Sequence, residues 1–128
     1  MKIKILIPVF NDWKSVFKLL DEVNQLSLDP TIQLSVIIIN DASNHDREDD
    51  EKKYENINSI KILNMKINQG HGRCIATGLK YIFEKEDFDY VIPMDGDGED
   101  RPEEIKEFID QLKNSNGKAI VGERIKRT

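Results

Sequence analysis

Several common ingredients are scarce in this chain, and each shortage closes a class of explanation. Its 128 residues include a single cysteine, Cys74, so no disulfide can form within it, and a reducing compartment fits better than an oxidising one. Positive charge is in the minority: 19 Lys and Arg stand against 24 Asp and Glu, a formal net charge of −5. A general nucleic-acid binder would carry a basic face instead. No segment approaches the ~20 apolar residues of a membrane span, and the opening MKIKILIPVF has too short an apolar stretch for a signal peptide. Repeats and low-complexity tracts are absent as well. With 38% hydrophobic and 34% charged residues, the chain is long enough for one core, and no composition shift marks a second. The expectation is one cytoplasmic domain over 1–128.

What is present alternates. Lys2 to Val9 is rich in β-formers, and Trp13, Val16, Phe17, Leu20, Val23 and Leu26 then recur at helical spacing behind Asn11-Asp12, either of which can cap. Trp13 and Phe17 fall on that apolar stripe and read as core. Leu34 to Ile39 is an unbroken apolar run, as in a central parallel strand covered on both faces. Asp41-Ala-Ser-Asn44 ends it, and the polar stretch that follows reads as surface, His45 included. Ser59 to Met65 predicts a third strand. Gly72 to Glu86 predicts a helix with Ile75, Leu79, Ile82 and Phe83 inward, and Tyr90 to Met94 a fourth strand. Pro102 in a first turn, with Asp100 and Glu103 spaced as a capping box, opens a helix carrying Ile105, Phe108, Ile109 and Leu112, and Lys118 to Val121 predicts a last strand. Strands alternating with helices imply right-handed crossovers and a mainly parallel sheet in a three-layer α/β/α arrangement, with ligands beyond the carboxyl ends of the strands. Three polar breaks fall at that edge: Asn11-Asp12, Asn40-Asp41 and Asp95 to Asp100.

The last break carries the most chemistry. In VIPMDGDGEDRPEEI an apolar strand ends in Asp95-Gly-Asp97-Gly-Glu99-Asp100. Side chains alternate faces along extended backbone, so Asp95 and Asp97 point the same way, with Glu99 next in register if the extension persists. Carboxylate oxygens so spaced suit a hard divalent cation such as Mg²⁺ or Mn²⁺, leaving coordination positions for water or a ligand's phosphates. An EF-hand loop beginning at Asp95 would want glycine at Asp100 and glutamate at Lys106. The glycine segment Asn68-Gln-Gly70-His71-Gly72-Arg73 leads into a helix, whose first amides favour phosphate. A dinucleotide fingerprint would need glycine at Ile75 and would follow the first strand.

In order and spacing, ILIPVFND, VIIINDAS, NQGHGRCIATGL, VIPMDGDGEDRPEEI and IVGER resemble the nucleotide-sugar-binding half of family 2 glycosyltransferases of the GT-A fold. The likeness is greatest to the polyprenyl-phosphate mannosyl- and glucosyltransferase branch. It covers nearly the whole chain, and it implies inverting transfer of a sugar from a nucleoside diphosphate donor, a UDP- or GDP-sugar, with a divalent metal. By the resemblance, Asp95 and Asp97 match the family's DXD pair, and Glu99 stands where this branch has a third ligand. Pro8, Val9 and Asn11 match the segment along the nucleotide's base. Asp41 matches one of an acidic pair that bonds base or ribose. The family commonly has two aspartates there and this chain has Asn40-Asp41, an amide that both donates and accepts, so the nucleobase preference does not carry over. A strand-ending Asx turn is the alternative role for both residues. Gly70 and Arg73, with His71, fall beside the donor diphosphate, and Arg124 matches a basic position near it; helix-cap and surface roles remain open for them.

The resemblance also implies an acceptor-binding portion after Thr128, where the family carries its general base, so no base is assigned and the chain reads as part of a longer transferase. A polyprenyl phosphate acceptor is already anionic and has less need of a base. The full-length protein would then work at the inner face of the membrane. The competing expectation is a non-catalytic nucleotide-sugar-binding module or inactive fragment.

Overall fold

A computed structural model describes residues 1–26, 28–44, 54–95 and 102–114. The alternation of apolar runs and amphipathic stretches becomes β1 (Lys2–Val9), α1 (Trp13–Asn24), β2 (Gln33–Asn40), β3 (Ser59–Asn64), α2 (His71–Lys85), β4 (Tyr90–Pro93) and α3 (Pro102–Asn114). Each strand boundary lies within a residue of the one expected. The strands form one sheet in the order β3-β2-β1-β4, and every pairing is parallel.

The two strands that read as continuous apolar runs are the central ones. Ile3, Ile5, Ile7 and Val9 of β1, with Leu34, Val36 and Ile38 of β2, pack on the face shared with α1 and α3. Leu6, Ile37 and Ile39 face the other way, onto Cys74 and Ile82 of α2. Helices therefore cover both faces, as the three-layer expectation required. Side chains such as Ile5, Leu6 and Ile37 are fully buried, each contributing roughly 1.5–3 kcal/mol by leaving water. Trp13 is buried and stacks on the half-buried Phe17, with ring centroids 6.2 Å apart, so both belong to the core as expected.

One part of the α2 stripe differs from expectation. Ile82 is fully buried, but Phe83 is 68% exposed and packs edge-on with Phe88, at 5.0 Å between centroids. The buried line runs through Cys74, Gly78 and Ile82, because small residues there let the helix lie close to the sheet. The stretch 46–51, Asp100 and the strand expected at 118–121 lie outside the described residues.

Strand order reverses at β1, which has β2 and β3 on one side and β4 on the other. Parallel α/β sheets open a crevice at such a switch point, beyond the strands' carboxyl ends. The ladders run one residue past the strands: Asp41 N–H donates to the Val9 carbonyl and Met94 N–H to the Leu6 carbonyl, each at 2.8 Å. That holds Asp41 and Asp95 at the same edge.

Candidate functional site at the switch point

A cavity of about 180 Å³ opens at this edge. The end of β1 supplies Pro8, Val9 and Phe10; Asp12, Asp41 and Asp95 come from the three polar breaks; and α2 adds His71 and Cys74. Alternation along the strands selects these groups, since Pro8, Asp41 and Asp95 follow the α2 side of the pleat, in register with Leu6 and Ile39.

Asp41 is 4% exposed and its carboxylate is the hub of the site. Oδ1 accepts from Gln69 N–H at 2.7 Å and Oδ2 from Gly70 N–H at 2.9 Å, while the Asn68 side chain donates to the Asp41 carbonyl at 3.2 Å. The glycine segment is thereby fastened to the end of β2. Gly70 sits at φ +90°, a conformation that disfavours any side chain, and it caps α2 without a side-chain hydrogen bond. The first amides of α2 thus keep the electrostatic character of an uncapped helix start. His71, the first helical residue, reaches across to β4, with Nε2 2.7 Å from Asp95 Oδ1. Beneath it, Cys74 is fully buried. Burial first, and then Asp41 beside it, push the Cys74 thiol up to about 12, so it stays protonated and is no nucleophile at neutral pH.

The other expected residues brace the rim. Asn11 adopts φ +65°; its N–H donates to Ser43 Oγ at 2.9 Å and its Oδ1 accepts from Asn44 N–H at 2.6 Å. Asn40 Oδ1 accepts from Ser43 N–H at 3.1 Å, and its amide donates to Asn64 Oδ1 at 3.0 Å. Ala42 between them is held at φ +56°, a left-handed conformation costing roughly 1–2 kcal/mol for a residue with a Cβ. Asn11 thus joins the loop after β1 to the loop after β2, Asn40 ties that second loop to the end of β3, and neither asparagine lines the cavity. Asp12 caps α1, accepting from Ser15 N–H at 3.3 Å. Arg73 is exposed on the first turn of α2, outside the cavity wall. Asp97, Glu99 and Arg124 lie outside the described residues.

Two wall residues escaped the sequence reading. Phe10 is 46% exposed at the cavity mouth, an aromatic face in water directly after a buried strand. Its position inside ILIPVFND, one step past the last buried residue, was the available signal. Cys74 carried none, since a lone cysteine on a helix reads as core.

Chemically, the cavity gathers three carboxylates around an uncapped helix start, with His71 as the one basic side chain among the described lining residues. Among those residues no three acidic, imidazole or thiol groups come close enough together to hold an ion. No described helix is long and apolar enough to cross a membrane.

Residues 4–128 match the family model described as glycosyl transferase family 2. A protein of Methanocaldococcus jannaschii, named uncharacterized protein MJ0544, is 28% identical over 93% of this chain and 50% of its own length. An undecaprenyl-phosphate 4-deoxy-4-formamido-L-arabinose transferase of Proteus mirabilis is 26% identical over 96% of this chain and 36% of its own. The chain thus spans half or less of the length of these relatives. Among solved structures, S. aureus TarS 1-349 superposes with a TM-score of 0.68 at 21% identity, over 91% of this chain and 33% of TarS. The same fragment in complex with UDP-GlcNAc gives a TM-score of 0.68, also at 21% identity, over 91% of this chain and 32% of its own. The fold is therefore that of the GT-A glycosyltransferases.

Proposed function

The chain belongs to glycosyl transferase family 2, and from that membership we propose that it is the donor-binding domain of an inverting transferase, holding a UDP- or GDP-sugar with Mg²⁺ or Mn²⁺ on the diphosphate. The observation that carries the reading is the convergence of Asp12, Asp41 and Asp95 with the uncapped start of α2 at the switch point. A helix start attracts an anion, and three carboxylates repel one. A hard divalent cation between the diphosphate and the acidic loop resolves the conflict, and oxygen donors are the ligands such an ion selects. Asp95 would hold it together with Asp97 and Glu99. Bound there, the ion supplies Lewis-acid stabilisation of the leaving diphosphate.

The chain's own residues set the rest. Pro8, Val9 and Asn11 fix the backbone edge beside the base, and Phe10 offers it an exposed aromatic face. Asp41 holds the Gly70 loop against the diphosphate position, with Asn40 bracing the rim and Arg73 and Arg124 supplying positive charge around it. At about 180 Å³ the cavity is smaller than the roughly 300–1,000 Å³ of closed ligand sites, so an elongated donor lies along the open sheet edge. A polyprenyl phosphate is the acceptor we favour. The P. mirabilis relative carries undecaprenyl phosphate in its name, and a phosphate oxygen attacks without a general base. Work at the inner face of a membrane follows from such an acceptor.

A second reading, donor binding without transfer, has one observation in its favour: each described carboxylate in the cavity already serves the protein. Asp12 caps α1, Asp41 holds the loop amides and Asp95 pairs with His71. Calorimetry with UDP-GlcNAc and GDP-mannose, with and without Mn²⁺, tests the donor site. Binding of one nucleotide sugar that strengthens at least tenfold with Mn²⁺ is expected. No binding of either with Mn²⁺ present would refute the reading, and donor consumption with a polyprenyl phosphate separates transfer from binding.

A further inference from the structure

His71 has no assigned part in the chemistry above, yet its ring reaches from α2 to the Asp95 carboxylate that opens the acidic loop. Its aim is not accidental to a mobile side chain. Asp41 fastens the two amides immediately before it, at Gln69 and Gly70, and Cys74 N–H closes the first helical turn on the Gly70 carbonyl at 3.1 Å. The ring therefore leaves a fixed backbone and meets Asp95 with Nε2 at 2.7 Å from Oδ1. An N–H donated to one oxygen of a carboxylate sets the plane of that carboxylate and hence where its other oxygen points.

We propose that His71 is a positioning residue: its Nε2–H orients Asp95 so that the carboxylate meets a divalent cation in a ready-made geometry. The role is geometric. It needs a donor at the Nε2 position and does not need the imidazole's charge. The proposal rests on the donor-site reading, and its test separates the two.

The test is Mn²⁺ affinity, read from the EPR signal of free Mn²⁺, for the 128-residue chain with whichever of UDP or GDP the wild type binds more tightly. Removing a partner that orients a metal ligand typically weakens metal binding by roughly 10–100-fold. His71→Ala should therefore weaken Mn²⁺ by about tenfold or more, a larger loss than it causes in metal-free nucleotide affinity. His71→Gln, whose amide donor sits near the Nε2 position, should restore Mn²⁺ to within about threefold of wild type. Asp95→Ala is the reference for loss of the ligand itself. If Asp95→Ala loses Mn²⁺ and His71→Ala does not, the positioning role is overturned and the donor site stands. If His71→Lys restores binding and His71→Gln does not, charge is what matters and the proposal is again overturned. If the wild type binds no Mn²⁺ with either nucleotide, the donor-site reading falls and takes this proposal with it.

Discussion

Asp41 offers two oxygens, and two backbone amides take them. A hydrogen bond to a charged group contributes roughly 1.5–3 kcal/mol, and an amide left facing another donor in a buried site forfeits it. Asp41→Asn keeps the shape and one acceptor, so one of Gln69 N–H and Gly70 N–H must then face an NH₂ group. A loss of about 1–3 kcal/mol is expected in urea unfolding, with faster hydrogen exchange at those two amides. Unchanged stability and exchange would mean that the clamp is incidental. This residue also marks how far a sequence can be read. The strand end, the acidic break and its place at the ligand edge followed from the apolar run of β2. The partners did not, because they lie 28 and 29 residues further on and are joined only when β3 and α2 have folded back. Asn11 and Asn40 were legible as strand-end polar residues for the same local reason. That Asn11 binds the loop after β2, and Asn40 the end of β3, with neither lining the cavity, is a tertiary fact.

At the scale of the element, α2 shows why hydrophobic type and burial separate. A period of 3.6 through Ile75, Leu79, Ile82 and Phe83 points to an apolar stripe, and the stripe exists, but its centre is displaced onto Cys74 and Gly78. Close approach to the sheet requires residues whose smallness, not hydrophobicity, is the qualification. A Cβ on Gly78 would stand 2.4 and 3.0 Å from the two Leu6 methyls and 3.2 Å from Ile39 Cγ1, both side chains being fully buried. Helix propensity favours alanine over glycine by about 1 kcal/mol, while overpacking a tight core costs about 1–3 kcal/mol. Gly78→Ala should therefore be neutral to destabilising by up to about 2 kcal/mol. Gly72, on the same helix, has open space around its Cβ position. Gly72→Ala should stabilise by about 0.5 kcal/mol. The contrast is what matters: equal urea midpoints for the two variants would disprove close packing at Gly78.

Across the whole molecule the two edges of the sheet are built differently. The carboxyl edge concentrates acidic groups around the cavity, and the amino edge neutralises them with lysines. Glu86, just past α2, accepts from Lys61 of β3 at 3.2 and 3.0 Å and lies 3.5 Å from Lys4 of β1, with its side chain only 10% exposed. Lys2 pairs with Asp87 beside it. The Lys61 hydrogen bond holds the Glu86 carboxyl below its ordinary value of 4.5, against burial and with help from Lys4. A lowered carboxylate gives stability that is present above that ordinary value and is lost as pH falls through the folded one. Lys61 is raised above 10.5, mainly by the same hydrogen bond, so its share is present below 10.5 and is lost as pH rises beyond it. Glu86→Gln should reduce stability at pH 7, because Lys61 and the largely buried Lys4 side chain then lose the carboxylate they share. The gap between wild type and variant should hold above pH 4.5 and shrink as pH falls below it, toward the lowered value at which wild-type Glu86 takes up its proton. Urea unfolding at pH 7, 5, 4 and 3 measures it, and a gap that stays constant over that range would show that the pair contributes nothing through its charge. Because the network lies at the far edge from Asp95, nucleotide and Mn²⁺ affinities of Glu86→Gln at pH 7 should match those of wild type, which makes the variant a control for every substitution at the carboxyl edge.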